Sequence, residues 1–173
     1  MDKLISDAEE VDLSKEHILQ ITNNECDVVV YHNLGEYNSI QDLLGEKGAV
    51  ILLYETKQNF GHWVALFYTN DARNEIEFFD SYGFAPDEEL DYAKYDDTPY
   101  LTKLMMKSNI HFIYNKVRLQ TYAEDMNTCG RWTSTRIRMR NTPINEFVRL
   151  FKNKGRYGGD WMVSAMTYLT TIQ

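Results

Sequence analysis

Three apolar segments of strand length lie close together in the middle of the chain, and they constrain its fold most strongly. Residues 48–54 are apolar without interruption, which is typical of a strand covered on both faces. Residues 62–68 and 75–79 flank a turn-like Asn-Asp-Ala-Arg-Asn stretch, so we predict that they form a β-hairpin. None of these runs is long enough to cross a bilayer. The sequence therefore predicts a central β-sheet.

Helical patterns and two further short strands surround this predicted sheet. A helix over 12–22 is entered through Asp12 or Ser14, and a short helical turn over 39–44 is capped by Ser39 and closed by Gly45. No repeat and no Pro/Gly-rich linker interrupts residues 1–173. We predict one α+β domain with a mixed sheet flanked by helices. The remaining elements are strands at 26–31 and 109–115, with 117–119 as a continuation, and helices at 99–107, 130–139, 143–152 and 161–172.

The composition favours a soluble globular protein, with 43% apolar and 25% charged residues in a chain of 173. The first seven residues lack the apolar core of a signal peptide, so secretion by that route is not expected. The only cysteines, Cys26 and Cys129, are too few for a disulfide scaffold, although a single bridge between them is an alternative. Such sparing use suits a reducing compartment, where a lone cysteine accompanied by a histidine is a candidate nucleophile.

The net charge of −8 conceals an asymmetry along the chain. Residues 1–130 carry 24 acidic and 10 basic side chains, whereas residues 131–173 carry 2 acidic and 8 basic ones. In one interpretation the basic segment faces acidic surface of the same domain or is simply solvated. In the other it binds a polyanion such as DNA, or an acidic partner. The residues that would form this second surface are Arg136, Arg138, Arg140, Lys152 and Lys154.

Cys129 lies where a loop gives way to a predicted helix. The free N–H groups and the macrodipole at a helix N-terminus stabilise an anion, which favours the reactive thiolate. Gly130 would let the backbone approach a substrate closely. The alternative for Cys129 is a buried, inert cysteine.

His62 opens the first strand of the predicted hairpin, and Asp80 ends the second. The start of one antiparallel strand lies beside the end of the next, so Asp80 is expected to reach His62 and to stabilise its imidazolium form. The alternatives are that His62 is a structural histidine with its hydrogen bonds made inside the protein, and that Asp80 only initiates a turn. Of the other histidines, His17 belongs to a surface helix, His32 to a loop and His111 to a strand.

Four short segments in this order resemble one superfamily of cysteine proteases. They are Gly-His-Trp-Val at 61–64, Phe-Phe-Asp-Ser-Tyr-Gly at 78–83, Leu-Gln at 119–120, and Asn-Thr-Cys-Gly-Arg-Trp at 127–132. This pattern is similar to adenovirus protease (adenain) and the SUMO-specific, ubiquitin-like proteases. It resembles more closely the maturation proteases of large DNA viruses and virophages. The resemblance covers residues 28–135.

The resemblance implies a papain-like fold in permuted chain order, with the nucleophile at the N-terminus of a helix. In that family Cys129 matches the nucleophile, His62 and Asp80 match its partners, and Gln120 matches the oxyanion glutamine. The position of Trp63 matches a tryptophan that roofs a narrow channel favouring glycine near the scissile bond. One departure concerns the loop between Gln120 and Cys129, which is longer than is usual in the SUMO proteases.

The implied activity is that of a cysteine endopeptidase that matures viral capsid precursors at glycine-containing sites. We expect it to act as a monomer, in the virion and the reducing cytoplasm or nucleus of an infected cell. No metal or membrane is required, and a DNA or peptide activator is a further expectation because adenovirus protease is assisted by viral DNA. Two alternatives are an isopeptidase acting on ubiquitin-like conjugates and a non-catalytic virion protein that binds polyanions.

Overall fold

A computed structural model describes residues 1–92, 98–152 and 157–171. Its helices and strands follow most of the predicted pattern. The helices are α1 (Asp2–Glu9), α2 (Lys15–Ile21), α3 (Ile40–Leu44), α4 (Tyr100–Met106), α5 (Cys129–Arg138), α6 (Ile144–Phe151) and α7 (Gly159–Thr171). The strands are β1 (Asp27–Val30), β2 (Ala49–Lys57), β3 (Phe60–Tyr68), β4 (Glu75–Phe79) and β5 (His111–Tyr114). Short 3₁₀ helices span Tyr31–Glu36 and Glu88–Asp91.

The five strands form one mixed sheet in the order β1-β2-β3-β4-β5. The central β2–β3 and β3–β4 pairs are antiparallel, and the outer β1–β2 and β4–β5 pairs are parallel. The predicted hairpin is therefore present as β3 and β4. The predicted α+β class, a mixed sheet flanked by helices, is confirmed.

Both faces of the sheet are covered, as the uninterrupted apolar run in β2 predicted. Side chains of β2 alternate between two cores: Ile51 and Leu53 belong to one, Val50 and Leu52 to the other. The first core includes residues of α2, α5, α6 and α7, and the second includes residues of α3 and α4. The sheet is thus a buried platform on which the helices rest. Within the part of the chain that the structure describes, no helix has the length and apolar character needed to cross a membrane.

Local capping explains where the early helices begin and end. The Ser14 hydroxyl caps α2 by accepting a hydrogen bond from the His17 backbone N–H, and Ser39 caps α3 in the same way through the Asp42 backbone N–H. Gly45 ends α3 with a φ of +55°, a left-handed value that glycine adopts without strain. The sequence predicted these caps.

Two local features differ from the predictions. The N-terminal residues form α1, for which no prediction was made. Residues 117–119 do not extend β5, because the Asn115 side chain bonds both the N–H and the carbonyl of Val117 and turns the chain there.

A buried ion pair joins α5 to β4. Two guanidinium nitrogens of Arg136 donate to the two carboxylate oxygens of Glu77, each at 2.8 Å, and both side chains are about 1% exposed. The guanidinium also lies over the rings of Phe67 and Phe147. Its remaining donors bond the carbonyls of Met139 and Thr142, just beyond the end of α5.

The burial of Arg136 corrects its predicted role in polyanion binding, and the same role of the other basic residues stays a prediction. Arg136 has no surface with which to bind a polyanion, because its whole guanidinium is used inside the domain. Arg138 and Arg140 lie within 4.0 Å of the Glu25 carboxylate, as expected if the basic segment faces acidic surface of the same domain. Lys152 is exposed, and Lys154 lies outside the described residues.

Replacing Arg136 should be costly to stability. We expect Arg136→Ala to lower the free energy of unfolding by about 3–5 kcal/mol, because it leaves the Glu77 carboxylate buried without a partner. The matched control is Arg138→Ala, on the same helix with a half-exposed side chain, which should change it by no more than about 0.5 kcal/mol. Urea denaturation measures both. Equally small losses for the two variants would show that the buried pair does not hold α5.

Candidate active site

Cys129 is the first residue of α5, and its side chain is 7% exposed. A buried carboxylate on α7 fixes this end of the helix. Asp160 accepts hydrogen bonds from the hydroxyl of Thr128 and the indole N–H of Trp132, and its second oxygen accepts the backbone N–H of Thr121. Asp160 therefore fixes the residue before Cys129 and the first turn of α5 after it.

The β3–β4 hairpin brings His62 and Asp80 together. The last pair of this antiparallel ladder is Ala65 with Phe79. Continuing the same register would place Asp80 opposite Val64 and Tyr82 opposite His62. Nε2 of His62 lies 3.1 Å from Oδ1 of Asp80, which is fully buried. The Tyr82 backbone N–H donates to the same oxygen at 2.7 Å and so fixes the carboxylate. The Tyr82 ring stacks on the imidazole at a centroid distance of 4.9 Å.

The side chain of Cys129 acts on His62 and raises the pKa of its imidazole. Because Nε2 faces Asp80, Nδ1 is the ring atom left for the thiol. Burial alone lowers the pKa of His62, but the Asp80 carboxylate and the Cys129 sulfur outweigh it and raise that pKa well above its usual value. The imidazole is thus held between a sulfur and a carboxylate in a form that favours its protonated state.

Gln120 is close to this group, but its amide is fully used within the protein. Its Oε1 accepts the Ser81 hydroxyl at 2.7 Å, and its Nε2 donates to the Tyr82 hydroxyl at 3.2 Å and to the Met126 carbonyl at 3.0 Å. An oxyanion could be bound only if one of these two N–H bonds were given up. The bond to Tyr82 is the longer, and Tyr82 itself packs on His62.

Trp63 and Gly130 pack against each other beside the thiol. A Cβ on Gly130 would lie 3.1 Å from Leu13 and 3.2 Å from Trp63, closer than an ordinary contact, so a larger residue here would have to displace these side chains slightly. The role predicted for the Gly130 backbone in substrate approach stays a prediction. Trp63 is 5% exposed and lines an open groove together with Tyr37, Leu53 and Asn59.

The comparisons with known proteins found one relative by sequence and a similar solved structure. No family model matches the chain. An uncharacterised protein, V9 of Sputnik virophage, is 42% identical over 148 residues, which cover 82% of this chain and 83% of V9. The chain belongs to the V9 family. Among solved structures, the ASFV pS273R protease matches with a TM-score of 0.47 and 18% identity, over 83% of this chain. This V9-family chain spans 58% of the length of that protease.

The remaining histidines and the second cysteine of this V9-family protein have other partners. His17 belongs to the cap of α2, His32 pairs with Glu55, and His111 is an exposed residue 3.9 Å from Glu75. Cys26 is completely buried and bonds Thr22, and burial raises the pKa of its thiol. Both cysteines are free thiols, so the bridge between them is not formed.

One residue of the site had no counterpart among the sequence predictions. Glu89, in the 3₁₀ helix Glu88–Asp91, lies with its Oε1 3.5 Å from Nε2 of His62 and is 7% exposed. In the sequence it stands in an acidic stretch that is typical of solvated surface. Burial raises the pKa of Glu89 to about 7, with Asp80 adding to this rise and His62 opposing it.

His62, Asp80 and Glu89 form the one group of potential metal ligands found among the residues described, with their ligand atoms within 4.8 Å of one another. The two carboxylates, however, converge on Nε2 of His62. A hydrogen bond from that nitrogen to Asp80 requires a proton in the position that a cation would take. We therefore assign the space between Nε2 of His62 and the two carboxylates to the Nε2 proton.

The two thiols should differ sharply in reactivity. We expect iodoacetamide to alkylate Cys129 more than about tenfold faster than Cys26 near neutral pH, because only Cys129 has a histidine partner. Peptide mass spectrometry after timed labelling measures both rates in one sample. His62→Ala should remove most of the difference while leaving Cys26 unchanged. Equal rates in the wild-type protein would contradict an activated Cys129.

Proposed function

We propose that this V9-family protein is a cysteine endopeptidase with Cys129 as its nucleophile. The observation that carries the proposal is the convergence of three side chains from separate parts of the chain. The imidazole of His62 in β3 lies 3.1 Å from the carboxylate that follows β4, and the side chain of Cys129 at the start of α5 raises the pKa of the same imidazole. This is the arrangement that thiol catalysis needs: a nucleophile, its base and a group that orients the base.

The reaction proceeds through an acyl-thioester. Nδ1 of His62 takes the thiol proton, and the thiolate of Cys129 attacks the scissile carbonyl carbon to form a tetrahedral oxyanion. Collapse of this species breaks the C–N bond, and the imidazolium gives its proton to the leaving amine. Water, deprotonated by His62, then attacks the thioester, and the carboxylic acid and the thiol are released. Asp80 holds the ring and stabilises its charge in each step.

Backbone and side-chain donors would bind the oxyanion. The N–H of Cys129 belongs to the first turn of α5, where helical N–H groups have no partner within the helix. The Gln120 amide would contribute after exchanging its bond to the Tyr82 hydroxyl for one to the substrate. Substrate binding must therefore break the hydrogen bond between the Gln120 amide and the Tyr82 hydroxyl.

We propose that the substrates are capsid precursor proteins cleaved at glycine-containing sites. Membership of a virophage protein family supports a viral role. Trp63 is buried next to Gly130, the residue that follows Cys129, and a bulky ring at this place would favour glycine near the scissile bond. The same residues also make up the segments that resemble viral maturation proteases.

Substitutions at the nucleophile and at the glutamine should have different consequences. Cys129→Ala is expected to abolish cleavage of a capsid precursor while leaving the fold intact, because the removed thiol is replaced by a smaller apolar group. Gln120→Ala should retain activity reduced by about a hundredfold or more, since one oxyanion donor remains. Gel assays of precursor cleavage and circular dichroism measure the two effects. Cleavage by the Cys129→Ala protein would refute the proposal.

Ubiquitin-like vinyl sulfone probes test the substrate class. Reaction of Cys129 with these probes, combined with failure to cleave capsid precursors, would place the enzyme among isopeptidases. Precursor cleavage without probe labelling is the outcome expected of a maturation protease.

A further inference from the structure

Glu89 is a buried carboxyl whose presence the fold does not explain. Its Oε1 accepts no hydrogen bond, and its side chain is about 9% exposed. A carboxyl group placed in such surroundings normally costs stability unless it is paired or bonded. This oxygen lies 3.5 Å from Nε2 of His62. The chain therefore maintains an unfavourable burial at a position that faces the proposed catalytic base.

The two carboxylates approach His62 from different segments. Asp80 follows β4 directly and is fixed by the Tyr82 backbone N–H, whereas Glu89 returns from the 3₁₀ helix nine residues later. Both point at Nε2, the ring atom opposite the one that faces the thiol. Oδ2 of Asp80, like Oε1 of Glu89, is buried without a hydrogen bond.

We propose that Glu89 is a positioning residue for His62, a second carboxylate that strengthens the imidazolium–thiolate pair when it is ionised. This inference deepens the proposed function and rests on it for its effect on proteolysis. It acts through His62 and does not require contact with substrate.

The charge on Glu89 makes this contribution dependent on pH. Burial raises the pKa of Glu89 to about 7, so the group is neutral in mildly acidic solution and anionic in mildly alkaline solution. As an anion it stabilises the imidazolium, and hence the thiolate that this cation accompanies. As a neutral acid it gives no such support. The benefit of Glu89 therefore appears as the pH rises through about 7.

Among the residues that the structure describes, the other titratable groups near Glu89 are few. Asp80 and His62 face it directly, Cys129 and Tyr82 lie beyond the imidazole, and Glu88 precedes it in the same 3₁₀ helix. Burial raises the pKa of Tyr82 far above neutrality, with the Cys129 and Glu89 charges adding to this rise, so Tyr82 stays neutral throughout the range. Glu88 is exposed and bonded to the Ala85 backbone N–H.

The decisive experiment is the ratio of kcat/KM between the wild-type protein and Glu89→Gln, measured on one peptide substrate from about pH 5.5 to about pH 8.5. Glutamine imitates the neutral acid, so the ratio should be near one at the acidic end and several-fold at the alkaline end, with a midpoint near 7. The matched control is Asp91→Asn, an exposed acid of the same 3₁₀ helix. Its ratio should be flat and near one.

A ratio that differs from one but does not change with pH would reduce Glu89 to a structural role and overturn the proposal. A ratio of one throughout would do the same. Iodoacetamide alkylation of Cys129 in both proteins gives the same pH-dependent ratio without any substrate. A protein that cleaves nothing but shows this alkylation ratio would therefore refute the protease and retain the role of Glu89.

A second measurement covers the case in which Glu89→Gln does not fold. NMR titration of the His62 ring in the Cys129→Ala protein should show an additional inflection near pH 7, caused by ionisation of the adjacent Glu89. A single His62 titration with no inflection there would overturn the proposal.

Discussion

The ion pair between Arg136 and Glu77 connects the two halves of the domain that the site depends on. Arg136 lies on the helix that Cys129 begins, and Glu77 lies on the strand that Asp80 follows. Two parallel hydrogen bonds of 2.8 Å leave the helix little freedom to slide along the sheet. The position of Cys129 relative to the sheet is therefore set by the Arg136–Glu77 contact, two turns further along α5.

The opposite end of α5 is held in a different way. Asp160 joins the Thr128 hydroxyl and the Trp132 indole, so the loop before Cys129 and the first turn after it share one buried acceptor. On the sheet side, the β3–β4 register determines that His62 meets Asp80 and stacks on Tyr82. The three proposed catalytic side chains thus meet because a helix and a hairpin are each fixed independently, and no single loop has to bring them together.

The sequence allowed prediction of those parts of the fold that arise from local patterns. Apolar runs and turn residues defined the hairpin, and antiparallel geometry then placed Asp80 near His62. Glu89 and Arg136 were beyond reach for one physical reason: each is a charged residue buried by a partner far away in the chain. Among neighbouring acids or bases, such residues are indistinguishable from solvated surface. The packing around Gly130 was also beyond reach, since its neighbours Leu13 and Trp63 come from distant segments.

The central claim is that Cys129 is a nucleophile activated by His62, and covalent trapping tests it most directly. A glycine-terminated peptide vinyl sulfone should form one adduct, on Cys129, in the intact wild-type protein, as located by peptide mass spectrometry. The adduct should form far more slowly in His62→Ala, whose thiol lacks its base. Labelling of Cys26, or equal labelling of Cys129 with and without His62, would contradict the claim.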